Sequence, residues 1–64
     1  MTPSAADLSS MAATVDDLTV RLGPIADAFE AAHRDDLVAE VHEVERALDS
    51  ARRRLLRLVA ADAP

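Results

Sequence analysis

Residues 41–58 carry an apolar side chain at every third or fourth position and contain neither Gly nor Pro. This spacing returns side chains to one side of an α-helix, so the segment predicts an amphipathic helix. Its apolar stripe consists of Val41, Val44, Leu48, Ala51, Leu55 and Leu58. Soluble proteins rarely leave so large an apolar surface in water, so whatever covers this stripe determines the architecture.

The chain is short, with 64 residues and no cysteine, which predicts one helical domain over residues 1–64 with a small core and no disulfide. Chains of this size often gain stability by associating. The net charge of -5 argues against a dedicated nucleic-acid binder. The absence of Lys beside abundant Ala and Arg is typical of proteins from GC-rich bacteria.

Two further patterns bear on location. No uncharged stretch approaches the roughly 20 residues of a membrane span. The N-terminus lacks the basic and apolar regions of an export signal. We therefore expect a cytoplasmic protein, and we expect no membrane among its partners.

The first half of the chain predicts a helix over residues 5–22. Its apolar side chains recur at helical spacing, at Leu8, Met11, Val15, Leu18 and Leu22. Ser4 as N-cap would place Asp7 at the third helical position, which predicts a capping box with Asp in place of Glu.

Gly23 and Pro24 are the strongest helix-breaking signal in the sequence. Gly suits the left-handed position that closes a helix, and Pro suits the first position of the next helix. The pair predicts a tight turn and an all-α helical hairpin, with a short helix 1 and a long helix 2 over residues 25–61. One continuous helix kinked at Pro24 is the alternative, since Ile25 and Phe29 keep the apolar spacing of helix 1.

Four polar residues interrupt the apolar spacing of helix 2, namely His33, Arg34, Asp35 and Asp36. Since neither Gly nor Pro occurs among them, we favour an unbroken helix. The alternative is a break in residues 33–36 with Asp35 capping a new helix, which would give a three-helix monomer.

In the favoured hairpin, helix 1 is too short to cover the stripe over residues 41–58, which predicts a second copy as its cover. A parallel pair would set Glu40 against Glu45 of its partner, whereas an antiparallel pair centred near Leu48 sets acidic residues 40–45 against basic residues 52–57. We therefore expect an antiparallel homodimer, as a four-helix bundle or coiled coil. The stripe is the predicted interface.

Two groups of side chains could bind a metal ion or a charged partner. Glu30 and His33 match the Glu-x-x-His pair of di-iron helical bundles and are weak metal candidates, because a further inward Glu is missing. The basic cluster could bind another protein or nucleic-acid phosphates, although ion pairing at a helix C-terminus also explains it. It consists of Arg52, Arg53, Arg54 and Arg57.

No phosphate-binding loop or catalytic constellation stands out, so we expect neither an enzyme nor a bound cofactor or metal. The sequence favours a non-enzymatic assembly or adaptor module that acts as a homo-oligomer and binds a further protein. The alternatives are a small transcriptional regulator that binds a protein or nucleic acid through its arginine cluster, and a metal-binding helical bundle.

Overall fold

The computed structural model describes residues 4–62 and contains two α-helices in this range, α1 (Ala5–Ala31) and α2 (Asp35–Asp62). The helices pack side by side as an antiparallel hairpin measuring 50 × 16 × 14 Å. The predicted all-α helical hairpin is confirmed, and the three-helix alternative is wrong for these residues. Residues 1–3 and 63–64 of the predicted domain lie outside the described range.

Helix α1 begins with the predicted capping box. The backbone N–H of Asp7 donates a hydrogen bond of 3.2 Å to the side-chain oxygen of Ser4, and the Ser4 backbone N–H donates one of 3.2 Å to the Asp7 carboxylate. The Ser4 hydroxyl donates a third, of 3.0 Å, to the same carboxylate. Two backbone donors at the helix start are thus satisfied, with Asp in the role that Glu usually fills.

The predicted turn at Gly23 and Pro24 is wrong, because both residues lie inside α1. Gly23 does not adopt the left-handed conformation that a helix-ending glycine would need. Pro24 has no N–H to donate to the carbonyl of Val20, but that residue is 68% exposed and water can reach it. The apolar spacing continues through Ala26 and Phe29, so packing against α2 holds the helix together across the proline.

The chain instead reverses just after α1, where His33 has a φ of 56° in the left-handed region. The N–H of His33 donates a hydrogen bond of 3.0 Å to the Glu30 carbonyl, and the N–H of Arg34 donates one of 2.9 Å to the Phe29 carbonyl. This pair of bonds is the Schellman motif, here with His at the position that Gly usually takes. The unbroken helix over residues 25–61 is therefore wrong, and the alternative break in residues 33–36 is right.

Helix α2 begins at Asp35, which is its first residue rather than its N-cap. The Arg34 guanidinium holds the carboxylate of Asp36 with two hydrogen bonds, of 3.2 and 3.1 Å. Both acids lie in the first turn, where the partial positive charge of the helix terminus favours them.

The contact between the helices is formed by a repeat of alternating three- and four-residue steps, which is the spacing of helices that pack along their length. On α1 the inward positions are Ala5, Leu8, Ala12, Val15, Thr19, Leu22, Ala26 and Phe29. On α2 they are Val38, Val41, Glu45, Leu48, Arg52, Leu55 and Val59. Of the described hydrophobic residues, Ala12, Ala26 and Val41 are buried. Two helices alone therefore leave most of this seam half-covered.

The prediction of a short helix 1 and a long helix 2 is also wrong, since α1 has 27 residues and α2 has 28. Because α1 continues past Pro24, it runs beside α2 for nearly its whole length. The stripe over residues 41–58 consequently does not overhang its own chain. The large apolar side chains that remain exposed lie along the sides of the hairpin.

Candidate interaction surface

One side of the hairpin carries a groove lined by apolar side chains from both helices. Leu18, Leu22 and Ile25 contribute from α1, and Val44 and Leu48 contribute from α2, with Arg21 at the groove edge. Leu22 and Leu48 are half-buried and form the floor, whereas the other three apolar residues are exposed.

The apolar lining extends along the hairpin through a seven-residue repeat. Seven residues make about two helical turns, so residues seven apart lie on the same side of a helix. On α1 this repeat holds Met11, Leu18 and Ile25, and on α2 it holds Val44, Ala51 and Leu58. We call these six exposed residues the apolar face.

The two repeats run in opposite directions and pair across the groove. Ile25 and Val44 lie nearest the turn. In an antiparallel hairpin, steps of seven from this pair place Leu18 level with Ala51, and Met11 level with Leu58. The five larger side chains are between 41 and 54% exposed. At 1.5 Å per residue, the apolar face is about 21 Å long.

The opposite side of the hairpin is polar. One shallow groove there is lined by Asp27, His42, Glu45 and Arg46, beside Gly23 and Ala26. A second contains Ser9, Asp16 and Arg52, with Leu56 as its large apolar residue. Charged side chains thus keep this polar face in water, and the hairpin is amphipathic as a whole.

The six predicted interface residues divide between the contact with α1 and the exposed apolar face. Val41 is buried, and Leu48 and Leu55 are half-buried against α1. The other three, Val44, Ala51 and Leu58, belong to the exposed apolar face. Their α1 counterparts on that face were not among the predicted interface residues, although the steps of seven from Met11 to Ile25 are visible in the sequence.

The arginine cluster also divides. Arg52 and Arg53 pair with the carboxylate of Asp49 at 3.0 and 3.2 Å. The hydrogen bond from Arg52, aided by the charge of Arg53, lowers the pKa of Asp49. Arg54 and Arg57 have no ion pair within residues 4–62. Two of the four predicted partner-binding arginines are therefore already engaged.

The weak metal candidates lie at the turn. Glu30 is in the last turn of α1, and its carbonyl accepts the backbone N–H of His33 just beyond the helix. Nowhere in the described part of the chain do three His, Cys, Asp or Glu side chains come together as ligands. This pair therefore has no third ligand within the hairpin.

Neither helix within residues 4–62 has an apolar stretch long enough to cross a membrane. Comparison with known families finds no model that matches the chain, and comparisons with curated proteins and with solved structures find no match either.

Proposed function

We propose that the protein is a cytoplasmic, non-enzymatic interaction module that assembles with a second copy through the apolar face. The observation that carries the proposal is the exposure of this face, with six residues in register on two helices. Such a face resembles the core of a helical bundle that has been cut in half.

The area of the hairpin supports association. Its accessible surface is 4862 Å². A compact monomer of 6.8 kDa would expose about 4,000 Å², so the excess is about 900 Å². A standard interface buries about 800 Å² on each partner, so one face-to-face contact would remove the excess.

The overall dimensions lead to the same expectation. The radius of gyration is 15.0 Å, whereas a compact chain of this length would have about 11 Å. Two such hairpins packed on their apolar faces would make a four-helix bundle with a closed core. In such a pair the half-buried floor residues Leu22 and Leu48 would also lose their contact with water.

A regulator that captures nucleic acid through the arginine cluster has less support. Asp49 already binds Arg52 and Arg53. The net charge of -5 would also weaken any contact with phosphates. We therefore prefer protein partners. One is a second copy of this chain, and the other is a further protein that binds the assembled bundle.

A single acidic substitution tests the proposal. Leu18→Asp should weaken self-association on the order of 100-fold or more, because it would bury two carboxylates near the centre of the dimer. Val20→Asp is the matched control, since Val20 is 68% exposed on the other side of α1. Sedimentation equilibrium measures both. Equal association of the two variants would contradict the proposal.

A second variant guards against misfolding. Ala51 is exposed and small, so Ala51→Glu removes little packing within the hairpin while adding a charge to the middle of the apolar face. It should dissociate the protein as Leu18→Asp does. Circular dichroism at matched concentrations would report whether helix content follows the loss of association.

A further inference from the structure

A row of residues with a charge at each end follows the α2 edge of the apolar face. Glu40, Ala47 and Arg54 lie seven residues apart, and each precedes an apolar-face residue by four positions. Residues four apart are neighbours on a helix surface, so this row borders the apolar face along α2. It is acidic toward the turn and basic toward the open end, where Arg57 lies one turn beyond Arg54.

The charges in this row have no partners within their own hairpin. Neither Glu40, Arg54 nor Arg57 forms an ion pair in residues 4–62. Helix spacing explains this, because no residue three or four positions from any of them has the opposite charge.

The other three arginines of α2 pair within the helix. Arg46 pairs with Glu43 at 3.2 Å, and Arg52 and Arg53 pair with Asp49. Among the arginines of α2, only Arg54 and Arg57 therefore have no ion pair within residues 4–62.

A two-fold rotation of the hairpin matches the unpaired charges. Glu40 and Arg54 are each seven residues from Ala47, or about 10 Å along the helix. If an axis perpendicular to α2 passes near Ala47, an antiparallel second copy brings its Arg54 beside Glu40. The same contact forms twice by symmetry.

Helix α1 is consistent with the same axis. Leu22 and Leu48 line one groove, and the antiparallel register sets Leu48 near the level of residues 19–21. An antiparallel copy of α1 would cross at about this level, close to Arg21, which lines the same groove. The charges of α1 do not select this orientation, so the selection rests on the charged edge of α2.

Other orientations oppose the charges. A parallel pair of α2 helices sets Glu40 beside its own copy, which repels. In a second arrangement, the two turns lie at the same end and α1 of each copy covers α2 of the other. Glu40 then faces residues 27–30 on α1 of the other copy. That stretch contains Asp27 and Glu30 but no base.

Resting on the proposed self-association, we infer that the occupant of the apolar face is a second copy lying antiparallel, with its turn at the opposite end. Glu40 of each copy then lies beside Arg54 of the other. The apolar face supplies the affinity of this dimer, and the charged edge selects its orientation.

Cross-linking can read this orientation directly, because the chain has no cysteine of its own. Ala47→Cys should link to its own copy through a short bis-maleimide, since Ala47 lies near the two-fold axis. Glu40→Cys should not, because its two copies would be roughly 20 Å apart along the helix. Both substitutions lie on the same edge of α2, so they form a matched pair.

The cross-linking results of the two variants distinguish the possible orientations. Equal linking of both variants would show a parallel pair and overturn the orientation. A dimer by light scattering in which neither variant links would also overturn it, because α2 would not border α2, but self-association would stand. A strictly monomeric protein would overturn both proposals.

Charge reversal provides the second test, with sedimentation as the readout. Glu40→Arg and Arg54→Glu should each weaken dimerisation on the order of tenfold, because two attractive contacts become repulsive. The variant that carries both changes should return to within about threefold of the unmodified protein. Additive weakening in the double variant would overturn the inferred pairing.

Discussion

The backbone N–H of Arg34 donates a hydrogen bond of 2.9 Å to the carbonyl oxygen of Phe29, and this bond closes α1. It forms only because His33 between them adopts a left-handed conformation with a φ of 56°. The bond places the reversal of the chain after α1 rather than at Gly23, and so makes the helices nearly equal in length. The paired repeats of the apolar face follow from that equality.

The left-handed conformation of His33 leads to the first prediction. Left-handed backbone costs about 1 kcal/mol more for a residue with a Cβ than for glycine, so His33→Gly should raise the free energy of unfolding by up to about 1 kcal/mol. His42→Gly, inside α2, should lower it by roughly 0.3–0.5 kcal/mol. Thermal unfolding at one fixed protein concentration would compare them. A stabilised His42→Gly with a destabilised His33→Gly would place the turn elsewhere.

A second prediction concerns Gly23 inside α1. A Cβ built at this position meets no atom within 4 Å, and the backbone there is not left-handed. Gly23→Ala should therefore stabilise the hairpin by about 1 kcal/mol through helix propensity. Ala28→Gly, at an exposed position in the same helix, should cost a similar amount. Chemical denaturation would show both, and a marked loss of stability in Gly23→Ala would restore the turn at Gly23.

The capping box gives a third prediction. Ser4→Ala removes the acceptor for the Asp7 N–H and should lower the free energy of unfolding by about 1 kcal/mol. Ser10→Ala is the control, since it replaces an exposed Ser inside the same helix and should be neutral or slightly stabilising. Urea unfolding measures both changes. Equal effects of the two substitutions would mean that the cap does not hold the helix start.

The fourth prediction concerns acid. Hydrogen bonds from Arg34 and Arg52 lower the pKa of Asp36 and of Asp49, respectively, below the ordinary value of 3.8. A carboxyl with a lowered folded-state pKa stabilises the fold above its unfolded pKa, and that contribution is lost as pH falls through the folded value. Both side chains are exposed, so the effect is small.

The melting temperature should therefore fall less between about pH 5 and pH 3 in the Asp36→Asn, Asp49→Asn variant than in the unmodified protein. Asp27→Asn is the control, because Asp27 has no ion pair in the described range. If the control flattened the acid response as much as the double variant, these two ion pairs would not be its source.

Periodicity and capping were readable from the sequence, and the position of the turn was not. Ser4 and Asp7 lie at capping-box spacing, and their bonds depend on neighbouring residues alone. Gly23 and Pro24 are a strong local signal for a turn, but packing of Ala26 and Phe29 in phase with the rest of α1 outweighs it. Whether packing outweighs the local turn signal depends on where α2 lies, and local spacing does not reveal that position.

The candidate surface was only partly readable for a related reason. Several apolar spacings coexist on α2, so Val41, Leu48 and Leu55 could not be separated from Val44, Ala51 and Leu58 until the direction of α1 was known. No glycine marks the true turn, because the left-handed position is occupied by His33. A first helix predicted to end at Leu22 also separates Ile25 from Met11 and Leu18, so these three residues do not stand out as one row.

Molar mass in solution tests the central claim most directly. Light scattering on the unmodified protein over a concentration series should give twice 6.8 kDa at high concentration and fall toward 6.8 kDa on dilution. Concentration-dependent dissociation of this kind is the result that a self-associating apolar face predicts. A mass of 6.8 kDa at every concentration, with full helix content by circular dichroism, would contradict it.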